Sequence, residues 1–185
     1  MRPFTLSTVL ALALAWAFAT PAFAGKLEGV TLPDTIQVGG QKLLLNGMGL
    51  REKVFIDVYV AGLYLPEKTR SARTAINSDV PKRIEMVMMR SVGKEKLADT
   101  MRESISKAGS KAVAAKAGTL AGWMESTKEG DRIILEYVPG TGTEVRVKGK
   151  KKGVIAGPEF MKAVWGIYLG PNPPTDDLKD GLLGR

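Results

Sequence analysis

The sequence contains neither cysteine nor histidine. Without cysteine there is no disulfide, no thiolate nucleophile and no Cys-ligated zinc or iron–sulfur centre. Without histidine there is no Ser-His-Asp or Cys-His machinery, no HExxH zinc site, and no side chain whose ordinary pKa lies near neutrality. Any chemistry falls to carboxylates, Lys, Arg, Tyr or hydroxyls, and neither a metal nor another cofactor is expected. Internal repeats and low-complexity linkers are also missing, and no shift in composition divides the chain. A single domain is expected.

What is present is ordinary globular composition. The chain has 185 residues, 44% hydrophobic and 25% charged, with 27 Lys+Arg against 19 Asp+Glu. Wholesale disorder, collagen-like structure and a multispanning membrane protein are excluded. Residues 1–24 read as a secretory signal. Arg2 supplies the positive start, Val9 to Ala19 form an apolar stretch too short to span a bilayer, and Ala22-Phe23-Ala24 places small residues where a signal peptidase reads. A cysteine-free domain of residues 25–185, acting in the periplasm, is the expectation. The densest basic run, Arg146 to Lys152, would suggest nucleic acid in a cytosolic protein, but export removes that partner. It reads as a solvated hairpin tip, with Lys150, Lys151 and Lys152 able to touch an anionic membrane surface.

Hydrophobic periodicity outlines the elements. Thr35–Val38 and Lys42–Leu45 read as short strands parted by Gly39-Gly40. Val54 to Leu65 alternates over a longer span. One face carries Val54, Ile56, Val58, Val60 and Tyr64; the other carries Phe55, Asp57, Tyr59, Ala61, Leu63 and Leu65. That pattern suits a strand between a core and a cleft. Arg83–Arg90 repeats it with Ile84, Met86 and Met88 on one side. Helical stripes follow at Leu97, Met101, Ile105 and Ala108, ended by Gly109, and at Val113, Ala117, Leu120, Ala121 and Met124. Strands Asp131–Val138, Thr143–Lys148 and Gly153–Ala156 come next. A helix then runs from Pro158 to Tyr168, and a last turn is capped by Thr175. Strands, helices, strands, helices predict an α+β domain with helices packed on an antiparallel sheet.

Two stretches resemble a known family. Asn46-Gly47-Met48-Gly49-Leu50-Arg51, followed by the strand Phe55 to Pro66, is similar to the chalcone isomerase-like superfamily, in particular to its exported bacterial branch. So is the C-terminal stretch with Phe160, Trp165-Gly166-Ile167-Tyr168-Leu169-Gly170, Asp177-Leu178-Lys179 and Gly181-Leu182-Leu183-Gly184. The resemblance implies an open-faced β-sandwich: a large antiparallel sheet with helices packed over it and a cleft between the layers. It also implies that Arg51, after a Gly-x-Gly turn, points into that cleft. Plant chalcone isomerases and non-catalytic fatty-acid-binding members share this fold. Tyr59 stands where the plant isomerases carry a Thr, and the isomerase Tyr and Asn positions fall on Lys96 and Glu103. Chalcone cyclisation is therefore not expected.

Candidate site residues follow. Arg51 presents a planar, permanently charged fork that matches a carboxylate. Tyr59 would add a hydrogen bond, and Asp57, two residues earlier, either joins the site or pairs with Arg51. Met86 and Met88 suit a cavity for variable chains. The leading expectation is an exported, non-catalytic protein that binds a fatty acid or similar amphipathic carboxylate. An isomerase or lyase using Arg51, Tyr59 and Lys96 is the first alternative. A cell-envelope interaction module with an unknown protein partner is the second.

Overall fold

The computed structural model describes residues 24–108 and 110–185. Residues 1–23 of the expected secretory signal and the helix-ending Gly109 lie outside the described residues, whereas Ala24, its expected last residue, opens the first strand. The elements run as β1 (Ala24–Leu27), β2 (Val30–Pro33), β3 (Thr35–Val38), β4 (Gln41–Glu52), β5 (Asp57–Leu65), α1 (Ala72–Asn77), β6 (Lys82–Met88), α2 (Lys94–Ala108) and α3 (Lys111–Gly122). They continue with β7 (Arg132–Val138), β8 (Gly142–Val147), β9 (Lys150–Ile155), α4 (Pro158–Leu169) and α5 (Asp176–Leu182). Strands β3 to β9 form one seven-stranded antiparallel sheet in sequence order, and β1–β2 form a separate hairpin. The architecture is α+β, with helices over one face of the sheet.

Alternation sorts the two faces. Ala61, Leu63 and Leu65 of β5, Ile84, Met86 and Met88 of β6, and Ile133 and Leu135 of β7 join the helices in the main core. Tyr64 and Val87 point the other way, into a smaller core with Leu32, Leu43 and Leu45. The β1–β2 hairpin supplies Leu32 to that second layer, and Gly62 makes room for it. A β-carbon there would lie 2.4 Å from the Leu32 side chain.

The Asn46-Gly47-Met48-Gly49 stretch is not a turn but the middle of β4. Its glycines let α5 press backbone against backbone. A β-carbon on Gly47 would sit 2.2 Å from the Gly181 carbonyl oxygen, and one on Gly49 would sit 2.2 Å from that of Leu178. Gly181 reciprocates, its β-carbon position being 2.3 Å from the Met48 carbonyl oxygen. Asn46, at a bulge in β4, donates to the Leu182 carbonyl at 2.7 Å and accepts from the Thr69 amide at 2.7 Å. The two stretches that carried the family resemblance are thus the two sides of one contact.

One expectation is corrected and another refined. The strand expected over Val54–Leu65 begins only at Asp57, because Val54 and Phe55 are the centre of a tight turn with positive φ, 50° and 60°. The basic run does form an exposed hairpin turn, but the strand after it starts at Lys150 rather than Gly153. The turn is Lys148-Gly149, and Lys150 to Lys152 belong to β9, at the edge of the sheet. Lys151 pairs with Glu144 at 2.6 Å and Lys152 with Glu125. Lysines on a bulged edge strand keep it from pairing with another sheet.

Candidate functional site

The register of β4, β5 and β6 builds the floor of a cleft. Arg51 pairs with Tyr59, which pairs with Met88, so the three form one row across the sheet. In the parallel row, Gly49 pairs with Ala61, which pairs with Met86, and Met86 pairs with Ile133. Helices α2 and α4 and the loop Pro171–Pro174 line the space above these rows, a cleft of about 1100 Å³. Met86, Met88, Ile133, Met101 and Ile167 make much of its wall apolar.

One corner is polar. The Arg51 guanidinium donates to the Pro174 carbonyl oxygen, and it forms no ion pair with any described residue. That loop is held in place from behind: the Lys179 ammonium on α5 donates to the Gly170 carbonyl at 2.8 Å, and the Thr175 hydroxyl caps α5. The docking of α5 on the β4 glycines therefore sets where the partner of Arg51 stands.

Tyr59 lies next to Arg51, and its hydroxyl has no hydrogen-bond partner among the described residues. Burial pushes its phenol pKa well up, and the Arg51 charge only partly offsets this. Tyr168 of α4 behaves alike: burial, then the neighbouring Tyr59, raise its pKa, with Arg51 opposing. Its hydroxyl donates to the Met86 sulfur at 3.4 Å. Both tyrosines stay protonated across the neutral range, so this corner offers a fixed positive charge and phenolic donors. Such an array calls for an acceptor with negative charge.

The rim repeats the sign. Lys107 is paired with Glu103 at 2.6 Å and Lys162 with Glu159 at 2.8 Å. The hydrogen bond from Lys107 holds Glu103 below its ordinary pKa. Lys53 and Lys96, which also line the cleft, form no ion pair with a described residue. Among the described residues no group of three or more acids converges as a metal site requires.

The structure brings Arg51, Tyr59, Met86, Met88 and Lys96 to one cleft. Asp57 is not among its lining residues and does not pair with Arg51. The bulge between the Arg51–Tyr59 and Glu52–Asp57 pairs shifts the ladder there. The lining residues that escaped the reading of the sequence include Tyr168 and Gly166. Helical periodicity merged Tyr168 with the core stripe. The signals that could have found them were a hydroxyl in need of a partner on an apolar stripe and a glycine inside a helix.

Comparison with known proteins agrees with this fold. A family model described as chalcone isomerase-like matches residues 24–184. The crystal structure of a fatty-acid binding protein from Arabidopsis thaliana superposes with a TM-score of 0.70 at 15% sequence identity, covering 87% of this chain and 96% of that one. No curated protein matches the sequence.

Proposed function

The chain belongs to the chalcone isomerase-like family, and from that premise we propose that it binds a fatty acid or a similar amphipathic carboxylate without transforming it, acting in the periplasm after export. In this reading the carboxylate meets Arg51 and Tyr59, and the tail lies along Met86, Met88 and Ile133. The observation that carries the reading is the polar corner of the cleft, where the Arg51 guanidinium has a carbonyl partner but no carboxylate. The fold shared with a plant fatty-acid binding protein supports it. Neither Tyr59 nor Tyr168 is suited to act as a base at neutral pH, since burial keeps both phenols protonated.

The energy scale is adequate. Each buried methylene is worth ~0.8 kcal/mol and a charge-assisted hydrogen bond about 1.5–3 kcal/mol, so ten methylenes and one headgroup contact reach roughly 10 kcal/mol before ordering costs. Mass spectrometry of small molecules extracted from the purified protein tests the idea, wild type beside Arg51→Met. A long-chain carboxylate near one per chain, depleted in the variant, is expected. Fatty-acid affinity that survives Arg51→Met unchanged refutes the headgroup assignment.

A further inference from the structure

We propose that the tip of the β4–β5 hairpin, Val54-Phe55-Ile56, docks on a lipid bilayer and sets the mouth of the cleft against it. Val54 is 76% exposed, Phe55 93% and Ile56 45%, and they are consecutive. None of them belongs to either hydrophobic core. The only other large apolar side chain so exposed among the described residues is Val154, at 37%.

The backbone sharpens the point. Lys53 and Ile56 exchange amide–carbonyl hydrogen bonds at 2.9 and 3.1 Å, enclosing a two-residue turn whose residues both have positive φ. That geometry favours Asn-Gly, whereas a β-branched Val and a bulky Phe are strained in it. The fold thus holds two apolar side chains outward in a turn they suit badly, where packing does not require them.

Location and size indicate the occupant. Arg51 and Lys53, at the base of this tip, both line the cleft, so the tip stands at its rim. Three side chains on a convex point offer far less than the roughly 1,200 Å² that a stable protein interface buries. The interfacial zone of a bilayer accepts such a point, apolar groups sinking about 5–10 Å with cations at headgroup level. No described helix is long and apolar enough to cross a membrane, so contact would be from the surface. Glu52 and Asp57 flank the tip as well as Lys53, so insertion rather than net charge dominates. The other basic candidate, Lys150 to Lys152, has two of its three ammonium groups committed to Glu144 and Glu125. This inference does not depend on what the cleft holds.

The test is co-sedimentation with phosphatidylcholine vesicles, with and without phosphatidylglycerol, using the chain from Gly25 onward, which carries the whole seven-stranded sheet and the helices packed on it. Wild type is expected to partition onto both vesicle types. Combined Val54→Asn and Phe55→Gly should reduce partitioning at least tenfold while the melting temperature holds or rises, because Asn-Gly suits the turn. Arg51→Met should still sediment with vesicles, and Phe55→Trp should show blue-shifted emission when vesicles are added. Wild type left free of vesicles, or a double variant that partitions unchanged, overturns the proposal. So does loss of partitioning in Arg51→Met alone, which would place the lipid contact in the cleft. Self-association abolished by the double variant, without vesicle binding, would make the occupant a second copy of the chain.

Discussion

Gly166 offers a perturbation in which folding and binding should move in opposite directions. It lies in α4, half-buried, and lines the cleft; a β-carbon there would meet no heavy atom within 4 Å. Glycine in a helix interior costs about 0.8–1 kcal/mol relative to alanine through backbone entropy. Gly166→Ala removes that cost without a clash, and for a domain of this size should raise Tm by roughly 2–4 °C. Gly166→Leu keeps the helix gain but extends a branched side chain into the cleft. If it displaces about three tail methylenes at ~0.8 kcal/mol each, affinity for a chain that fills the cleft falls by roughly fifty-fold. Short chains, which need not reach α4, should lose much less. The assay pairs thermal denaturation with isothermal titration of a chain-length series of fatty acids against wild type, Gly166→Ala and Gly166→Leu. The reasoning fails if Gly166→Ala lowers Tm, since the position would then not face open space. It fails equally if Gly166→Leu binds long and short chains as wild type does, since the tail would then not pass α4.

Two further predictions concern stability. Gly49→Ala would drive a β-carbon to 2.2 Å from the Leu178 carbonyl oxygen, a backbone atom that cannot swing aside. The variant should lose about 1–3 kcal/mol or more by denaturant titration, with ligand affinity falling because the loop that holds Pro174 against Arg51 moves with α5. A variant as stable as wild type would contradict the α5 seat. Lys82 is fully buried; its ammonium donates to the Ala75 carbonyl at 2.8 Å and lies 5.6 Å from the Trp165 ring centroid. Burial pushes its pKa down to about 8 from 10.5, with Asp79 opposing and Lys162 adding. Between those values the unfolded chain binds more protons than the folded one, so this group makes stability rise as pH climbs from 8 toward 10.5. Wild type minus Lys82→Met stability, followed by denaturant titration from pH 8 to about 10, should therefore increase with pH; a flat difference would show that Lys82 is not desolvated.

Much of this molecule could be read locally. Alternation located β3 and most of β6 to β8, the Pro158 start and the Thr175 cap placed α4 and α5, and the residues facing the helices from β5 were on one side of the pattern. The guanidinium and the Met pair of the cleft also stood out by residue type. Helix α1 did not, being six residues held by a Ser71 cap and tertiary contacts. Nor did the start of β5, because the alternation of Val54 and Ile56 continues that of the strand even though the backbone turns there.

The sequence by itself determined the periodic elements, the caps and the chemical menu, because each depends on neighbours a few residues apart or on residue type alone. The tertiary structure decided the rest, which depends on what meets what across the chain. It made Gly47 and Gly49 a seat for α5 rather than a turn, since only a helix some 130 residues away, at Asp176–Leu182, demands that closeness. It put Tyr168 beside Tyr59 and Arg51, left Asp57 off the cleft behind a one-residue shift in register, and turned Val54 and Phe55 to solvent. A change of one residue in register, or a contact between distant segments, leaves no periodic trace.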